Sequence, residues 1–160
     1  MFGFGGEKKR AEQIAEQASV FITFQKYADF KKFFELTGLR SSQDLQKFDL
    51  YLNSVFLCYL YMFLLAHPNK KFVDHFSNAL TQLTDRNISL AVGDLARFAP
   101  MDHLHEHVKV TGRWIAQKLG LTVPSDACLT FLTQEAHIQA NNAHAFIYQT
   151  MPEMARLARE

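Results

Sequence analysis

The densest group of ionisable side chains in the 160-residue chain is Asp102-His103-Leu104-His105-Glu106-His107, which gathers three of the seven histidines. On a helix, His103, Glu106 and His107 share one side at i, i+3 and i+4, while His105 points away beside Lys109. Two imidazoles one turn apart hold a single divalent ion such as Zn²⁺, and further ligands then come from another helix. The string also reads H-x-x-E-H, in which a Glu between two zinc-binding histidines activates water. Nothing on either side continues that motif. The plainer alternative is a helix start, with Asp102 as the N-cap and the stripe of His103 and His107 continuing through Val110 to Trp114 at the edge of a core.

A second polar line runs through Gln134, His137, Asn141, His144 and Tyr148 at steps of three or four. If the two helices pack antiparallel, as a short connection favours, the start of the first lies near the end of the second. That brings His144 toward His103 and His107, and the candidate metal set becomes His103, Glu106, His107 and His144. The competing reading is the water-facing side of an amphipathic helix. Glu135 falls among Cys128, Phe131 and Ile138, where a carboxylate needs a donor or takes a raised pKa. No G-x-G-x-x-G, P-loop or G-x-S-x-G string occurs, and Cys58 sits deep in an apolar run, so no catalytic residue is assigned. No cofactor is expected apart from Zn²⁺ or another divalent metal in that set; a haem would have only His67 or His75 as axial ligands.

The elements that must hold these residues are helical. With 48% hydrophobic and 13% aromatic residues in 18.4 kDa, the composition is that of one soluble domain. Lys and Arg number 17 against 16 Asp and Glu, which gives no electrostatic case for nucleic acid or an anionic membrane. Cys58 and Cys128 lie in apolar stretches and read as buried free thiols. Met1-Phe2-Gly3-Phe4-Gly5-Gly6 lacks a secretory pattern and reads as a flexible lead, an untethered terminus in the commoner reading and, in the alternative, a tail that docks Phe2 and Phe4 as aromatic anchors; a cytoplasmic location is expected.

From Glu7 to Gly38 the spacing predicts one long helix, amphipathic first and apolar on two sides later. Ser41 or Ser42 caps a second, in which every residue from Val55 to Ala66 is apolar or Tyr. Twelve residues reach only about 18 Å, short of the roughly 30 Å of a bilayer core, so no transmembrane span is expected. Further helices are predicted over 69–83, 88–98, 102–120 and 125–147, with a last turn from Pro152. The fold class is therefore all-α: residues 7–160 as one compact bundle of about six helices around a central hydrophobic helix, residues 42–66. Phe24, Phe33, Leu57 and Leu64 fall off the main stripes and read as surplus surface for a homodimer interface. The function expected is that of a non-catalytic interaction or regulatory module acting through apolar and aromatic surface on itself or a protein partner. The alternatives are a metal-binding sensor or hydrolase using the histidine cluster, and a carrier of an apolar ligand or haem.

Overall fold

The run of apolar residues from Val55 leaves its helix no solvent face, and the rest of the fold follows from enclosing it. The computed structural model describes residues 4–23, 29–98 and 104–157, with the α6 side chains described from Val108 on. They form eight helices and, among the described residues, no strand: α1 Phe4–Thr23, α2 Phe30–Thr37, α3 Ser42–Leu64, α4 Lys70–Leu83, α5 Arg86–Phe98, α6 Leu104–Lys118, α7 Asp126–Thr150 and α8 Pro152–Leu157. Helix α3 starts where Ser41 accepts the Asp44 N–H (3.1 Å) and donates to the Asp44 carboxylate (2.7 Å). Every residue from Leu52 to Leu60 is buried.

Each side of α3 meets a different neighbour. Phe48 and Phe56 face Phe131 and Phe146 of α7 at 5.9 and 6.2 Å between ring centroids, and Tyr51 meets the edge of Trp114 on α6 at 5.4 Å. Phe21 of α1 stacks on Phe56 at 4.5 Å. The buried Tyr59 hydroxyl finds a partner in Thr111 of α6, which offsets the cost of taking it out of water, and the half-buried Tyr61 lies beside Thr81 of α4. At about 1.5–3 kcal/mol per fully buried large apolar side chain, α3 is the largest single contributor to the core.

Ala11, Ala15 and Ala18 give α1 a smooth buried face, against which Phe72, Phe76 and Leu80 of α4 are buried. The two helices run parallel, Glu7 lying beside Asn69 and Arg10 over Phe72. Helix α1 already includes Phe4, Gly5 and Gly6, so this part of the expected lead is a first helical turn; Phe2 lies outside the described residues.

The predicted continuous helix to Gly38 is instead two. Asp29 caps α2 by accepting the Lys32 N–H (3.1 Å), and Gly38 closes it at φ 74°, where a side chain would be strained. An internal cap competes with helix continuation, and the break lets Phe33 fold back onto Phe48 at 4.9 Å. The added helix changes the surface. Phe33, Leu57 and Leu64 are 0%, 1% and 1% exposed within a single chain, so the surplus apolar surface assigned to them is already covered. Phe24 lies outside the described residues.

Helices α6 and α7 approach closely at Gly112, where an added Cβ would sit 3.0 Å from the Thr133 backbone. Gly112 belongs to the second half of α6 and Thr133 to the first half of α7, with residues 119–125 joining them, so the pair is antiparallel. Gly120, at φ 79°, lets the chain turn, and the Leu121 N–H closes the helix end on the Ala116 carbonyl at 2.9 Å.

Candidate functional site

Three places among the described residues concentrate polar side chains with a defined geometry. The first is the turn His67-Pro68-Asn69 between α3 and α4. His67 is 3% exposed and stacks on Phe72 at 4.9 Å and 18°. Its Nδ1 accepts the Asn69 backbone N–H at 3.0 Å, so the ring proton belongs on Nε2, which lies 3.2 Å from Glu153 Oε1 of α8. Arg10 of α1 reaches the same carboxylate at 2.8 Å and the Thr150 carbonyl at 3.4 Å. Asn69 caps α4 by accepting the Phe72 N–H at 3.2 Å and donates to Glu7.

Burial pushes the Glu153 carboxyl up, but a hydrogen bond to its own backbone together with Arg10 and His67 outweighs burial and holds it below the usual carboxylate range. The clasp overlooks a cleft of about 580 Å³ lined in part by Glu7, Pro68, Pro152 and Arg156. Both nitrogens of His67 are committed, so the ring offers no lone pair to a metal, a haem or a substrate proton. What the arrangement does is tie α1, the α3–α4 turn and α8 together. His75, the other histidine considered for haem, is half-buried in a polar groove of about 450 Å³ between α1 and α4, beside Glu12 and Glu16.

The second place is the outer side of α7. Gln134, His137, Asn141 and His144 are exposed as their spacing predicts, and Tyr148 is half-exposed. The line extends backward through Thr130 to Ala127 at the same alternating steps, and Ile138, expected on the apolar side, is 46% exposed beside it. No Lys, Arg, Asp or Glu stands on this exposed line from Ala127 to Tyr148. Glu135, the one acid of that stretch, is half-buried; burial pushes its carboxyl up and Lys32 of α2 pulls it partly back. Lys32 also lies over the Phe131 ring, 5.5 Å from its centroid. The His144 ring is held between Phe63 of α3 at 5.4 Å and Tyr148 at 4.2 Å.

Of the candidate metal set, His103 and the side chains of Glu106 and His107 lie outside what the structure describes, and only His144 is placed. Continuing the antiparallel register from Gly112 and Thr133 sets the first turn of α6, residues 104–107, opposite residues 138–141 of α7, about one turn short of His144. Among the described residues no group of three or more His, Cys, Asp or Glu side chains is arranged to hold a metal ion. Both cysteines are free and buried, the Cys58 thiol being pushed by burial up to about 12. Sequence reasoning missed a third polar knot, in which Asp94 of α5 accepts from Trp114 Nε1 at 2.9 Å and from Lys118 at 2.5 Å. Those two donors, Lys118 first, hold its carboxyl below the usual range. Arg10 and Glu153 were also unreadable as a pair, since 143 positions separate them.

No helix among the described residues is long and apolar enough to cross a membrane. Compared with protein-family models, curated proteins and solved structures, the chain matches none.

Proposed function

We propose that the protein is a non-catalytic helical interaction module and that its docking face is the outer side of α7. The reading is carried by one observation: the exposed line from Ala127 to Tyr148, on the longest of the described helices, bears no Lys, Arg, Asp or Glu. A helix side that only meets water usually carries Lys and Glu; one that meets another protein is depleted of them. The half-buried Phe63, Tyr148 and exposed Ile138 supply the apolar part of the contact. Phe33, Leu57 and Leu64 are covered within one chain and lend no support to a face on their own helices.

A photo-crosslinking residue at position 138 tests the reading in cells. A protein adduct forms there and not from the same residue at exposed Gln13 on α1, and Asn141→Lys abolishes it. Absence of any adduct at 138 contradicts the reading.

The register of α6 on α7 favours a second reading, a divalent-metal site of His103, His107 and His144 with Glu106 beside it. Elemental analysis of untagged protein purified without chelator tests it: about one metal per chain, lost in His144→Ala, supports the site, and metal-free protein removes it.

A further inference from the structure

Resting on the reading of α7 as a docking face, we infer that its occupant is an acidic amphipathic helix of another protein, whose carboxylates pair with Lys109 and Arg113 of α6 along one edge of that face. The helix register places those two bases. Gly112 sits against Thr133 in an antiparallel pair, so Lys109 lies level with residue 136 of α7 and Arg113 level with residue 132. Both are exposed, and at i−3 and i+1 they occupy the solvent side of α6 next to Gly112. The exposed α7 residues nearest those levels are His137 for Lys109, and Thr130 and Gln134 for Arg113. The line without Lys, Arg, Asp or Glu thus has a basic rim.

No described acid answers that rim. Neither Lys109 nor Arg113 takes part in an ion pair among the described residues. Lys118, the third base between residues 108 and 118, is turned instead to Asp94 of α5. Only two acids stand on α7. Glu135 is half-buried with Lys32 of α2 acting on it, and Asp126 is the first residue of the helix, about 9 Å along the axis from the level of Arg113.

Spacing decides the class of occupant. Lys109 and Arg113 are one turn apart, about 6 Å along the axis, which is the separation of two carboxylates at i and i+4 on a partner helix. Such an exposed pair steers a partner and fixes its register, while the amides of α7 and Ile138 supply the contact that excludes water. Charge complementarity and a helix laid along a groove then go together. A nucleic-acid backbone carries a charge at every phosphate and needs bases along the whole groove, which two do not supply. An anionic membrane needs a broad apolar face beside the bases, and of the exposed large apolar side chains only Ile138 belongs to α7. The middle of the line, at Asn141, meets the occupant's uncharged side, so Asn141→Lys still blocks docking there.

Photo-crosslinking in cells from position 138, read by mass spectrometry of the joined segment, tests the inference. Lys109→Glu together with Arg113→Glu lowers the yield of the protein adduct at least about tenfold, whereas Lys109→Arg together with Arg113→Lys retains it. Unchanged circular dichroism verifies that the reversed variant folds. The segment joined to position 138 carries two acids one turn apart. A synthetic peptide of that segment binds the purified protein at least about fivefold more weakly in about 0.5 M than in about 0.05 M NaCl. An adduct indifferent to the charge reversal, a joined segment without such acids, or a second copy of this chain overturns the inference and leaves the docking face standing. No protein adduct at position 138 removes both, and an adduct to nucleic acid or lipid in its place identifies the occupant that the spacing argues against.

Discussion

At the scale of single residues, the commitments of His67 explain why a buried histidine here is structural. A neutral ring with its proton on Nε2 satisfies Asn69 on one side and Glu153 on the other, and nothing remains for chemistry. Nitrogen-15 NMR of the imidazole at pH 7.5 is expected to show the Nε2–H tautomer; an Nδ1–H tautomer contradicts the clasp. Glu153→Gln costs about 1 kcal/mol at neutral pH, a charge-assisted bond discounted for partial exposure. Because the folded carboxyl titrates below the unfolded value of about 4.3, its stabilisation is complete above that pH and disappears as pH falls through the lower folded value. Glu135 has the opposite sign. Its folded carboxyl is raised, so its ionised form opposes folding at neutral pH. Glu135→Gln therefore stabilises the protein at pH 7, and the gain vanishes below about pH 4. Denaturant melts of the two variants across pH check both signs.

At the scale of elements, Gly112 is the position where two helices come nearest. Gly112→Ala forces α6 away from Thr133 and costs about 1–3 kcal/mol in chemical denaturation, whereas Gly93→Ala, on the open side of α5, leaves stability unchanged or raises it. Equal effects of the two substitutions contradict the close approach. Most helices were legible because their signals are local: Ser41, Asn69 and Ser125 cap α3, α4 and α7, and the apolar run in α3 demanded neighbours on every side. The break between α1 and α2 was not. It depends on Asp29 acting as a cap inside a periodic stretch and on Phe33 finding Phe48, a contact that only the folded chain supplies. The same limit hid Arg10 and Glu153, while the α7 line was legible from spacing alone. Its lack of charge was visible too, and its meaning came only when Phe33, Leu57 and Leu64 proved to be covered.

At the scale of the whole molecule, the eight described helices bury the core residues of α3, and the outer side of α7 is a long surface without Lys, Arg, Asp or Glu. Closure predicts that neither Cys58 nor Cys128 reacts with a thiol reagent in the native state at pH 8 and that both react once the chain unfolds. Fast labelling of the native protein contradicts that closure. The central claim, that α7 presents an interface, is tested most directly by photo-crosslinking in cells from position 138, with exposed position 13 of α1 as the control. A protein adduct from position 138 alone, abolished by Asn141→Lys, is the predicted result. No adduct from position 138, or equal adducts from both positions, contradicts it.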